Sequence, residues 1–241
     1  MRTRILLLSV LALFVLAPLP DGAGADEERW RKKLGRGDLD QVFAEIERAR
    51  AQESDEDAIL PLFELGLETP QSHISVAVGD ALAARGPGIL KRKDIAKLVK
   101  KSQKAKDLQV QKNLARVLGA YGYPEVDDVL GHLASNRRDP DVQAEALFMC
   151  GSIKPSPKGD DRFKPYKDIR KAIAGALQKG RSEDIQCAAC SAAGRLGLKE
   201  NVDALVTMAT RSKNDYSGLY AVWALKQMGA TGNLSTFLNS L

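Results

Sequence analysis

Cys187 and Cys190 carry the C-x-x-C spacing of a redox pair, and a third cysteine, Cys150, lies upstream. A reactive pair of this kind sets its first thiol at the very N-terminus of a helix, where unpaired N–H groups stabilise the thiolate. Here Ser182 is the natural helix cap, and Glu183 and Asp184 fill the first turn. Cys187 therefore falls a full turn inside, with two acids opposing a negative sulfur, so the spacing argues against thiol-redox chemistry. Two readings of the cysteines stay open: small buried thiols, or a disulfide joining Cys150 to Cys187 or Cys190. Metal and hydrolase chemistry find no pattern either. His73 and His132 are the two histidines, with no carboxylate at ligand spacing, and neither H-E-x-x-H nor G-x-S-x-G occurs. Asp127 and Asp128 precede His132 too sparsely to form a site. The expectation is a non-enzyme without cofactor or metal.

Two stretches have the chemistry of contact surfaces. In the run 91–106, Lys91, Arg92, Lys93, Lys97, Lys100, Lys101, Lys104 and Lys106 stand against one acid, Asp94. Ile95, Leu98 and Val99 have core spacing, so the charges occupy the other faces of a helix. Such a face is either simply solvated or a contact for an acidic protein, a membrane surface or an anionic polymer. No aromatic residue interleaves it to stack bases, which disfavours nucleic acid. The second stretch is residues 152–167, where Pro155, Pro157, Gly159 and Pro165 forbid a continuous helix. It is expected to project as a loop, with Arg162, Phe163 and Tyr166 as its first candidate contacts.

The elements that position these residues are legible as a repeat. Five segments superpose by their apolar positions, beginning at Ile74, Val110, Val142, Ile185 and Ser217, with starts 36, 32, 43 and 32 residues apart. Apolar or small residues at the first, fifth, sixth and ninth places make one helical face. Gly86, Gly122, Gly197 and Gly229 stand at the thirteenth place of four copies, a helix stop in the left-handed conformation that glycine adopts freely. A second apolar-periodic segment follows each: Ile89 to Val99, Val126 to Leu133, Ile169 to Leu177, Val202 to Met208 and Leu234 to Leu241. The unit is a helical hairpin, which cannot bury its apolar stripe without stacked neighbours. A more degenerate pair spans Leu39 to Ala51 and Ala58 to Leu67, with Asp55 or Asp57 as cap and Pro61 tolerable in a first turn. Residues 26–35 read as a capping helix whose Trp30 covers the open end of the stack.

The pattern V-Q-x-x-A-A-x-x-A-G-x-L-G followed by x-x-V-x-x-L resembles the HEAT-like repeats grouped with those of phycobilisome lyases. The resemblance covers most of residues 26–241 and implies an armadillo-like, right-handed α-α superhelix (α-solenoid) of about six hairpins. It also implies that partners bind along the concave surface lined by the second helices. No catalytic motif accompanies it. The family usually has Arg where this chain has Gln111, Gln143 and Gln186, which suggests an inter-repeat amide ladder of neutral donors and acceptors.

Residues 1–25 have the make-up of a signal peptide: a basic start, the apolar run Ile5 to Leu16, and a small-x-small site ending at Ala25. An uncleaved anchor is the rival reading. Removal takes Arg2, Arg4 and Asp21 from a chain of net charge +5, leaving only a mild basic excess. The reading is an exported, periplasmic or secreted scaffold that binds a protein partner of unstated identity through its concave helices. The alternative is a binder of anionic polymer or membrane surface through the 91–106 face.

Overall fold

The computed structural model describes residues 25–35, 38–52, 55–155, 164, 166–178, 180–211, 215–230 and 232. Among these the chain is all-helical, without strands. Twelve α-helices follow in order: α1 (Ala25–Leu34), α2 (Leu39–Ala51), α3 (Ile59–Glu68), α4 (Ser72–Ala84), α5 (Lys93–Gln103), α6 (Leu108–Tyr121), α7 (Asp127–Ala134), α8 (Pro140–Cys150), α9 (Lys167–Ala176), α10 (Glu183–Leu196), α11 (Val202–Arg211) and α12 (Tyr216–Gln227). The signal-like segment 1–24, the loop residues Arg162 and Phe163, and the expected last helix 234–241 lie outside the described residues.

The even-numbered helices pack in succession, each from α2 to α10 against the next even helix. Each odd helix closes against the even helix that follows it in the chain, and α7 also packs directly on α9. Glycine sets how closely the even row can pack. A Cβ built on Gly119 would sit 2.7 Å from Met149 Cβ, and one on Gly194 would sit 2.8 Å from Ala224 Cα. Both glycines, with Gly151, occupy the tenth place of their repeat. The side-chain-free surface there lets the next helix dock backbone to side chain.

Local chemistry explains the boundaries. Gly86, Gly122, Gly197 and Gly229 all have φ between 63° and 85°, the left-handed stop expected of them. Pro61 is the third residue of α3, where its missing N–H has no intrahelical partner to lose. The segment expected from Ile89 to Val99 is interrupted: a 3-10 turn, Ile89–Lys91, precedes an extended Arg92 before α5 begins. The Glu125 carboxylate accepts the N–H groups of Gly88 at 2.9 Å and Leu90 at 3.2 Å, holding that turn as a separate capped element. Trp30 is buried and its indole N–H donates to Asp55 Oδ2 at 2.8 Å, tying α1 to the turn before α3.

The amide ladder is corrected. Gln111, Gln143 and Gln186 are buried, but each donates to a backbone carbonyl: Ala105 at 2.7 Å, Ala134 at 3.0 Å and Gln178 at 3.1 Å. Ser75, at the same repeat place, donates to Gly66 O at 2.8 Å. These carbonyls lie at or near the end of the preceding odd helix, where intrahelical donors run out. A side chain at the second place therefore satisfies its neighbour's C-terminus, and the repeats are joined through side chain and main chain.

Candidate functional site

Where α7 meets α9, the odd row opens into a groove of about 670 Å³. Its construction begins at the N-termini. The Asp127 carboxylate accepts the N–H of Asp168 at 3.0 Å and of Ile169 at 2.9 Å, capping α9 from a different helix. Burial pushes the Asp127 carboxyl up, partly offset by those two N–H groups. Gly131 permits the contact, since a Cβ there would lie 2.8 Å from the Asp168 carbonyl carbon and 2.9 Å from Ile169 N.

The rim is bipolar. Asp128 and Asp168 line the groove from the first turns of α7 and α9, while Arg137 and Arg181 line it from beyond the two C-termini. That order suits the helix dipoles as well. His132 and Lys171, both exposed, stand between. Among the described residues no three His, Cys, Asp or Glu side chains converge as a metal-binding group. Gly175 lines the floor in the last turn of α9, without a positive φ, and a Cβ built on it meets nothing within 4 Å. No intramolecular contact therefore requires a glycine there. The groove is an open cleft lined by charges of both signs.

The residues singled out from sequence fare differently. Tyr166 is corrected: it is fully buried at the start of α9, its hydroxyl 2.6 Å from Lys154 O and 2.8 Å from Gly122 O, so it ties α9 to the backbone at those two residues and offers no contact surface. Its one O–H lies between these two acceptors, and Gly122 O also takes the Lys154 N–H at 2.9 Å. Arg162 and Phe163 lie outside the described residues. On α5 and its flanks, Lys91, Lys93, Lys97, Lys100, Lys101 and Lys104 are exposed. Lys93, Lys97, Lys100 and Lys104 recur at helical spacing as one stripe opposite buried Ile95 and Val99. Arg92 is engaged internally, 3.1 Å from Asp94 and 3.5 Å from Glu56.

The cysteines are free, with Cys150 and Cys190 buried and Cys187 partly exposed. Burial, then Glu183, Asp184 and Asp215, push the Cys187 thiol up to about 11. Burial and then Cys187 raise Cys190 to about 12. These are the reverse of the depressed values a thiolate nucleophile needs. His73, the other histidine, is exposed and stacks on Phe43 at 5.5 Å.

No family model matches the chain, and no curated protein matches it. Among solved structures it is similar to an engineered protein at 18% identity over 86% of this chain and 100% of the other, with a TM-score of 0.45. No helix among the described residues is long and apolar enough to cross a membrane.

Proposed function

We propose that this chain is a non-enzymatic, exported scaffold: a HEAT-like α-solenoid, wound as a right-handed superhelix, that binds a protein partner along the concave side formed by its odd-numbered helices. The observation that carries the reading is the α7–α9 groove, with charge of both signs on its rim and a glycine on its floor that no internal contact requires. A glycine in a helix costs up to about 1 kcal/mol relative to alanine. Retaining one where a methyl group would fit suits a surface that another backbone approaches closely. The repeat supplies the setting, because a row of stacked helices presents a broad rigid surface of the kind that carries protein partners.

The lysine stripe on α5 supports a second reading, an anionic polymer or membrane surface as partner. Co-purification at low and high salt separates the two. The first expects a discrete polypeptide that persists at high salt, is lost on combining Lys171→Glu with Arg181→Glu, and survives Lys97→Gln with Lys100→Gln. The second expects salt-labile association that the α5 substitutions remove and the groove substitutions leave intact.

A further inference from the structure

Among the described residues α12 is the last of the even row, and its outer face is unlike the others. Tyr216 is 68% exposed, Leu219 62%, Tyr220 42% and Trp223 37%, and the four recur at i, i+3, i+4 and i+7. They form a stripe on the side opposite Ser217, Ala221, Ala224 and Leu225, which pack into the protein. At the tenth repeat place Gly119 in α6, Gly151 closing α8 and Gly194 in α10 meet the next even helix, and α4 has the small Ala83; in α12 it is the exposed Lys226. The small residue of the other copies is replaced there by a long charged one, and an apolar surface remains exposed beside it.

We infer that this face is the interface of a symmetric dimer in which α12 of one copy packs antiparallel against α12 of a second. Charge placement selects the occupant and its direction. At the N-terminal end of the stripe stand the acids of α10: Glu183 accepts the Tyr216 N–H at 2.7 Å, and the exposed Asp184 follows it. At the C-terminal end stands Lys226. A two-fold axis across the middle of α12 brings each copy's Asp184 toward the other's Lys226, whereas parallel pairing would set lysine on lysine. The face is thus complementary to itself in one orientation only.

The area sets the strength. Taking each aromatic side chain as about 150–250 Å², the four residues expose roughly 400 Å². A standard interface buries about 800 Å² per partner, so the α10 rim must contribute and the dimer should be concentration-dependent. This proposal is independent of the α7–α9 groove, which lies on the other row.

Sedimentation velocity of the full chain from about 1 μM to about 1 mM, the span of weak to moderate affinity, tests it. A monomer–dimer transition is expected. Leu219→Lys, at an exposed place that leaves folding intact by circular dichroism, should raise the dissociation constant more than roughly tenfold, since the buried side chain is lost twice in an isologous contact. Asp184→Lys and Lys226→Asp alone should each weaken the dimer roughly five- to thirtyfold, because a rim pair broken twice doubles a modest loss. Together they should restore it. A monomer throughout the range overturns the proposal, as it would if the chain's own residues cover the face. So does a dimer indifferent to Leu219→Lys, or one in which the double reversal fails to rescue the single ones.

Discussion

Two glycines line or border the same groove, and the same substitution should act on them with opposite sign. At Gly175 an added Cβ meets nothing within 4 Å and φ is not positive. Gly175→Ala therefore gains helix propensity without a clash. The full difference is about 1 kcal/mol in a helix interior, and in the last turn of α9 about 0.5–1 kcal/mol is expected. For a domain of this size that is a rise in Tm of roughly 1–4 °C. At Gly131 the Cβ would lie 2.8 Å from the Asp168 carbonyl carbon and 2.8 Å from its Cβ. The backbone of α9 must move, and overpacking of this kind costs about 1–3 kcal/mol, a fall of roughly 2–12 °C. Thermal unfolding of both variants by circular dichroism decides the matter. The groove adds a second readout: Gly175→Ala should stabilise the protein yet weaken partner binding, because the methyl group fills the floor. Equal signs for the two substitutions would refute the reasoning from close approach. A stabilised Gly175→Ala protein with undiminished binding would refute the role given to the open floor.

Three further outcomes follow from the contacts. Asp127→Ala removes the acceptor for two N–H groups of α9 and should cost about 1–2 kcal/mol; hydrogen exchange at Asp168 and Ile169 should quicken, while Asp127→Asn retains much of the protection. Gln143→Leu leaves the Ala134 carbonyl buried without its donor and should destabilise by about 1–3 kcal/mol, read as a lower urea midpoint with unchanged slope. The thiols predict a pH dependence. Their folded values are raised above the ordinary 9.0, to about 11 for Cys187 and about 12 for Cys190, and Cys150, Tyr121 and Tyr166 are raised as well. Stability from holding these groups neutral is complete below pH 9 and is lost as pH rises through the folded values. The unfolding midpoint should therefore fall in alkali, and alkylation of Cys187 should keep rising beyond pH 9, where a free thiol levels off.

Sequence periodicity carried most of the helical layout, because each even helix needs apolar or small residues at fixed places and each thirteenth-place glycine needs a left-handed φ. It also located Trp30 at the first helix and Pro61 in a first turn. What it missed depends on residues brought together across repeats. Asp127 and Asp128 next to His132 looked too sparse for a site because the other wall, Asp168 and Lys171, lies beyond the proline-rich stretch. The caps supplied by Asp127, Glu125 and Glu183 to other helices have no local signature, since an acid in a first turn is ordinary. The glutamines were correctly matched by repeat place and wrongly paired, because the carbonyl each one meets carries no side-chain signal. Tyr166 looked like a loop aromatic for the same reason: the carbonyls of Gly122 and Lys154 that its hydroxyl meets carry no side-chain signal. The exposed stripe on α12 was not singled out, because the helix carries apolar residues on two faces and only the neighbouring helices reveal which is covered.

The most direct measurement of the central proposal is site-specific photo-cross-linking inside the producing cells. A photoreactive residue is placed at Ala174, exposed on the α7–α9 groove, or at Phe148, exposed on the even row. One discrete polypeptide is expected to be captured from Ala174, to be lost when Lys171→Glu is added, and not to be captured from Phe148. Capture from Phe148 alone of a polypeptide other than a second copy of this chain, capture at Ala174 that ignores Lys171→Glu, or no capture from the groove would contradict that proposal.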